Sequence, residues 1–250
     1  MRNVATIALT AVVASLAVVS LCSVAGAQVP LTGYGVPVAE NFNTLASTGT
    51  SSVVPAGWAF LETGTNANLL YTAGTGSSNT ADTYSFGAAG SAERAFGGLR
   101  SGTLVPTVGA SFVNSIGGPI GRLDIEYVGE QWRLGTLGRL DKLDFQYSLN
   151  AVSLNTGTWT DVDALDFIAP ATAGTVGLLD GNAAANRTLI SAAISGLSLA
   201  PTAVIWIRWT DFDGTGADDG LGVDDFRMIP REPPVPVVPV TLGAVKGTYR

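Results

Sequence analysis

The feature that most constrains this chain is an alternation of apolar and polar residues with a period of two. Leu143, Phe145, Tyr147 and Leu149 alternate with Lys142, Asp144, Gln146 and Ser148, and side chains two apart share a face only in an extended backbone. Leu123, Ile125 and Tyr127 alternate in the same way with Asp124 and Glu126. In AVIWIRWT, Ala203, Ile205, Ile207 and Trp209 oppose Val204, Trp206, Arg208 and Thr210. Both sets are largely apolar, which predicts a central strand of a sandwich. Further short runs are AENF, GWAFLE, TYSFGA, RAFGGL, ASFVN, TWTDVD, RTLISAAI and LGVDDFRMI, separated by glycine-rich turns, and no helical period of useful length intervenes. About ten to thirteen short strands with turn signals between them predict an all-β fold, an antiparallel β-sandwich of the jelly-roll type.

The ends differ from this pattern. The chain opens MRNVATIALTAVVASLAVVSLCSVAGAQVP, with Arg2, an apolar run from Val4 to about Leu21, and the small-residue ending Ala25-Gly26-Ala27. That is the layout of a secretory signal peptide, an N-terminal signal helix over 1–27 cleaved after Ala27. A retained anchor is the rival reading on length alone, and bulky Leu21 ahead of Cys22 argues against a lipoprotein signal. The sandwich is expected over 28–229. PREPPVPVVPV, at 230–240, alternates proline with valine and reads as an extended, semi-rigid linker. TLGAVKGTYR, at 241–250, is a short tail, read either as a disordered terminus or as an attachment tag. It lacks the apolar span and terminal arginine cluster of an exosortase tag.

Composition removes several function classes. The chain has 13 basic and 20 acidic residues and no histidine. Loss of Arg2 with the signal leaves 12 basic against 20 acidic, a net charge of −8. Nucleic acid is therefore an unsuitable partner. Without histidine there is no Ser-His-Asp triad, no Cys-His nucleophile and no ordinary zinc site. The single cysteine also leaves with the signal, so the secreted chain has no disulfide. A monomer outside the cell or on its surface, with no membrane insertion after cleavage, is expected.

The densest charge lies in WTDFDGTGADDGLGVDDF, residues 209–226, which holds six aspartates. Asp211, Asp213 and Thr215 followed by Gly216 begin like a calcium loop, but the twelfth position of an EF-hand needs a bidentate Glu and is Gly222. Oxygen ligands from the first and last strands of a sandwich offer another route. Glu40 with Asp224 or Asp225 would tie the two ends of the domain together through a structural Ca2+, with Asp211, Asp213, Asp218 and Asp219 as further candidate ligands. The bland alternative is that those four aspartates face water on a long loop.

The phrases AENFNTL, VPAGW, LYTAGTGSSNTADTYSFG, ERAFGGLRSG, EQWRLG, DFQYS, TGTWTDVDALDF, LDGNAAANR and WIRWTDFDGTGADDGLGVDDF carry a resemblance. Together, from about Val38 to Ile229, the chain resembles a jelly-roll module of secreted bacterial proteins, found ahead of extracellular nucleases, in exosortase-sorted surface proteins and in adhesin-like chains. The resemblance implies an extracellular, non-catalytic β-sandwich, and it carries no nuclease activity over to a chain without the nuclease domain.

Two further sites follow from the residues. In EQWRLG, Glu130 and Trp132 share one strand face and Arg133 the other. An exposed Trp132 beside Glu130 would stack on a pyranose ring while the carboxylate bound hydroxyls; the alternative is a core tryptophan with Glu130 paired to an arginine. Asp124 and Glu126, also on one face, are spaced for the paired carboxylates of a glycoside hydrolase, though simple alternation explains them too. The leading expectation is a module for adhesion, matrix association or glycan binding with a structural calcium ion, and the competing one a carbohydrate-active hydrolase.

Overall fold

The structure is a computed structural model, and it describes residues 27–234. The expected signal helix and tail, with most of the expected linker, lie outside the described residues.

In chain order the strands are β1 (Val29–Leu31), β2 (Val38–Glu40), β3 (Thr50–Ser51), β4 (Trp58–Thr63), β5 (Tyr71–Gly74) and β6 (Asp82–Phe86). They continue with β7 (Ala95–Leu99), β8 (Val105–Asn114), β9 (Ile120–Leu134), β10 (Lys142–Ser148) and β11 (Thr160–Asp161). The remainder are β12 (Phe167–Ile168), β13 (Gly177–Leu178), β14 (Arg187–Leu199), β15 (Val204–Asp211) and β16 (Gly220–Arg231). They form two sheets. The seven-stranded sheet has the order β1-β8-β15-β10-β11, with β4 also on β8 and β12 on β10. The nine-stranded sheet has the order β13-β9-β16-β7-β6-β5-β3, with β14 on β9 and β2 on β16. The chain crosses between sheets at nearly every long strand: β7, β9, β14 and β16 lie in one, β8, β10 and β15 in the other. This is the β-sandwich that the period-two pattern predicts.

The alternating residues face as expected except Leu149, which lies just past the end of β10 and is exposed. Leu123, Ile125 and Tyr127 of β9, Leu143 and Phe145 of β10, and Ile205, Ile207 and Trp209 of β15 all enter one core between the sheets. Trp209 is its hub, stacked on Trp58 and edge-to-face with Tyr127 and Phe145. β15 pairs with both β8 and β10, the central position expected of it, although its outer residues Val204, Trp206, Arg208 and Thr210 stay partly exposed. Two pairings depart from the antiparallel expectation, since β1 runs parallel to β8 and β5 parallel to β6.

At its end β16 continues through Pro230 to Arg231, into the segment read as linker. Proline fits there because β2, the neighbour on that flank, pairs only as far as Met228, so no ladder donor is needed at 230. The register of β16 against β9 slips between Asp224 and Arg227. Asp225 sits in this bulge with φ of 48°, an uncommon conformation that aspartate tolerates better than most residues.

Candidate functional site

Three places concentrate chemically useful side chains. The first lies on the outer face of the nine-stranded sheet. Because odd residues of β9 point into the core, even ones point outward, and Glu130 and Trp132 share that outer side. They are nevertheless covered: Glu130 is 0% and Trp132 1% exposed. The Trp132 ring stacks on Phe86, which stacks on Tyr84. Gly181 lies so close against the indole that a Cβ there would fall 2.4 Å from it, and Gly76 packs as tightly against the Trp132 backbone carbonyl. Arg133 pins the overlying loop by donating to the carbonyls of Gly76 and Ser77. The structure therefore gives Trp132 no free face on which a sugar could stack.

Beside this cluster, Glu93 from the β6–β7 hairpin, Glu130 from β9 and Asp224 from the bulge of β16 converge. One carboxylate oxygen from each lies within 4.8 Å of the others. Glu130 Oε2 accepts a hydrogen bond from Trp132 Nε1, and Glu93 Oε2 accepts one from Asn182 Nδ2. The second oxygens, Glu93 Oε1 and Glu130 Oε1, and Asp224 Oδ1 are buried without a hydrogen-bond partner. Arg187 is the nearest cation, at 3.6 Å from Glu130 and 3.7 Å from the more exposed Asp225. Both distances exceed those of a charge-assisted hydrogen bond. Burial, with Glu93 nearby, pushes Glu130 up to about 7. Burial, with Asp225, Glu130 and Glu93 around it, pushes Asp224 up to about 8. Two carboxylates about 4 Å apart repel by about 4 kcal/mol at an effective dielectric near 20.

The second place is the acidic stretch itself, where Asp213 is exposed but most of the charge is buried. Asp211, Asp218 and Asp219 are buried. Asp219 accepts from Gly135 N and Gln131 Nε2 at 2.7 Å each, stapling the start of β16 to the end of β9. Arg139 Nη2 lies 2.9 Å from Asp141, 3.5 Å from Asp218 and 3.8 Å from Asp219. Arg100 pairs with Asp213 at 2.9 Å and donates to the Asp211 carbonyl. Guanidinium groups thus pair with Asp141, Asp213, Asp218 and Asp219, whereas both Asp211 carboxylate oxygens and Asp218 Oδ1 are buried without a hydrogen-bond partner. Burial, with Asp141 and Asp218 close by, holds the Asp211 carboxyl well above the usual carboxylate range. Burial likewise pushes Asp218 and Asp219 up to about 6.

Glu40 sits apart from the three-carboxylate group. On β2 it pairs with Phe226 and its Oε1 accepts from Phe42 N at 2.9 Å. It lines a shallow pocket with Asp225 and Glu126, the nearest the structure comes to the expected link between first and last strands. Asp224 turns instead toward Glu93 and Glu130. Glu93 has no sequence signal as a ligand, and three residues drawn from positions 93, 130 and 224 show no motif spacing. Asp124, the other half of the candidate hydrolase pair, accepts from both Arg122 and Arg231. Burial opposes ionisation there, but the two arginines outweigh it and hold Asp124 below its ordinary value. A general acid needs the reverse.

The third place is the outer face of the seven-stranded sheet, which the sequence reading passed over. The ladder aligns Ala59, Gly109, Arg208, Gln146 and Asp161 in one row across five strands. Trp206, two residues before Arg208, lies on the same face between Ser111 and Ser148 and is partly exposed. Arg208 donates to Gln146 Oε1 at 2.7 Å and to the Leu154 carbonyl, and its guanidinium lies 4.0 Å over the partly exposed Trp159 ring. Gln146 in turn donates to Asp161. The segment 149–159 forms one wall, with Leu154 resting on Gly109.

No protein-family model matches the sequence, and no curated protein matches it. Solved structures share the sandwich only loosely. TmCBM61 in complex with beta-1,4-galactotriose is 13% identical, with a TM-score of 0.35, covering 70% of this chain and 88% of that one. The enzymatically active domain of bacteriophage CBA120 tailspike protein 4 is 9% identical, with a TM-score of 0.36, covering 70% and 19%. A family 16 carbohydrate binding module is 13% identical, with a TM-score of 0.23, covering 53% and 84%. At these scores the likeness is too loose to carry a function across.

Proposed function

We propose that this chain is a secreted, non-catalytic β-sandwich module that binds an extended neutral polysaccharide through the outer face of its seven-stranded sheet. The observation that carries the reading is the pairing of two partly exposed tryptophans, Trp206 and Trp159, with an aligned row of hydrogen-bonding side chains, Arg208, Gln146 and Asp161. Indole faces present a broad apolar surface with little conformational entropy to lose, suited to the C–H face of a pyranose. Arg208, Gln146 and Asp161 are already linked to one another, so donors and acceptors for hydroxyls are held in place before a ligand arrives. The secreted chain's net charge of −8 argues against polyanionic glycans.

A glycan array probed with the full secreted chain tests this. Retention of a neutral polysaccharide, lost in Trp206→Ala while the melting temperature stays within the error of the parent, supports the reading. Absence of any glycan ligand, or retention that survives combined Trp206→Ala and Trp159→Ala substitution, contradicts it.

A further inference from the structure

We propose that Glu93, Glu130 and Asp224 form a binding site for a hard divalent cation of the Ca2+ class, on the opposite sheet from the glycan face and independent of it. Three observations converge on it.

The first is spacing. Oxygens that share a calcium ion at about 2.4 Å stand at most about 4.8 Å apart across it, and the ligand oxygens of these three residues all lie within 4.8 Å of one another. The second is the set of orphaned atoms. Glu130 is 0% exposed and Asp224 4% exposed, and Glu130 Oε1 and Asp224 Oδ1 have no hydrogen-bond partner. Buried polar atoms are almost always satisfied, so unpartnered oxygens on two of the three converging carboxylates call for a partner, as the orphaned oxygens of Asp211 and Asp218 do in the acidic stretch. The third is the contrast with the acidic stretch. There Arg139 closes to 2.9 Å on Asp141, whereas here Arg187 stands no closer than 3.6 Å to Glu130.

The donor set selects the ion. Only oxygens are offered, with neither thiolate nor imidazole, which disfavours zinc and copper. Carboxylates carried by a hairpin loop, a strand and a bulge can adjust to a large, irregular coordination sphere more easily than to the small octahedron of Mg2+. Bound there, the cation would cross-link the β6–β7 hairpin, β9 and β16, three segments distant in sequence.

Trp132 makes the site visible. Its Nε1 is 3.0 Å from Glu130 Oε2, so a Tb3+ ion in the calcium position would lie within energy-transfer range of the indole. The experiment titrates Tb3+ into chelator-stripped full-length secreted protein, follows tryptophan-sensitised emission, and then displaces the lanthanide with Ca2+. Saturable emission that Ca2+ reverses, reduced at least tenfold in affinity by Glu130→Gln and by Asp224→Asn but unchanged by Asp211→Asn, is expected. Because Glu130→Gln relieves repulsion, it should also raise the melting temperature in chelator while abolishing the upward shift that Ca2+ gives the parent. Emission that never saturates, or that persists in Asp224→Asn, overturns the assignment. So does a Glu130→Gln protein that still responds fully to Ca2+.

Discussion

Trp132 Nε1 donates a 3.0 Å hydrogen bond to Glu130 Oε2, and both residues are buried on the outside of a sheet rather than between the two. Residues of β9 that should face water by alternation are instead sealed under loops. Replacing Trp132 with Phe keeps an aromatic ring but removes the only hydrogen-bond donor to the Glu130 carboxylate among the described residues. Leaving a buried acceptor unsatisfied costs about 1–3 kcal/mol, so Trp132→Phe should lower unfolding stability by that amount in denaturant titrations, with less loss in the double substitution with Glu130→Gln.

Stability should also fall as pH rises, the opposite of the usual carboxylate behaviour. Burial raises Asp82, Asp218 and Asp219 to about 6, against an ordinary value of 3.8. A carboxyl whose folded value is raised contributes stability that is complete below its unfolded value and is lost as pH passes its folded one. Melting temperatures measured in chelator should therefore decline between about pH 4 and pH 7. Asp211→Asn should reduce the decline, since that carboxyl is also shifted upward. A flat or rising profile would show that these aspartates ionise without cost.

Arg139 is the counter-ion of the acidic knot, and its loss should be severe. Arg139→Met leaves Asp141, Asp218 and Asp219 buried without their guanidinium. Removing one partner of a buried ion pair costs about 3–5 kcal/mol. Urea unfolding of this variant should show a loss of that order at pH 7.5 and a smaller one at pH 5, where the raised carboxyls take up protons.

On the other sheet, Arg208 joins the glycan face to the 149–159 wall through Gln146, the Leu154 carbonyl and the Trp159 ring. Lysine keeps the charge but not the planar fork that makes these contacts together. Arg208→Lys should weaken polysaccharide binding by about tenfold, equivalent to about 1.4 kcal/mol, with a change in stability under about 1 kcal/mol. Calorimetric titration against the parent measures both the affinity and, by the baseline melt, the stability.

The sequence made the long strands legible and the short ones invisible. β9, β10 and β15 each alternate over enough residues to fix which side is buried, and their inner faces meet as expected. β3, β11, β12 and β13 have two residues each, too few to show any period. Alternation also tells only which way a side chain points, never what later lands on it. Trp132 and Trp206 both point away from the core, yet one is covered by Phe86 and the loop at Gly181 while the other stays partly open. The same limit applies to the acids. Asp224 stands out in the sequence, but its partners at 93 and 130 come from other strands and hairpins, and Arg139 reaches Asp218 across 79 positions of chain. Pairings of that length are set by the crossing of strands between two sheets.

The central claim is a division of labour, with glycan held on the seven-stranded sheet and a cation on the nine-stranded one. It is tested most directly by calorimetric titration of the same polysaccharide, in Ca2+, into the parent, Trp206→Ala and Glu130→Gln proteins. The account predicts that Trp206→Ala abolishes the binding heat while Glu130→Gln leaves the affinity within about twofold, a difference of about 0.4 kcal/mol. Binding that survives Trp206→Ala and disappears in Glu130→Gln would contradict it and place the glycan site beside the carboxylates.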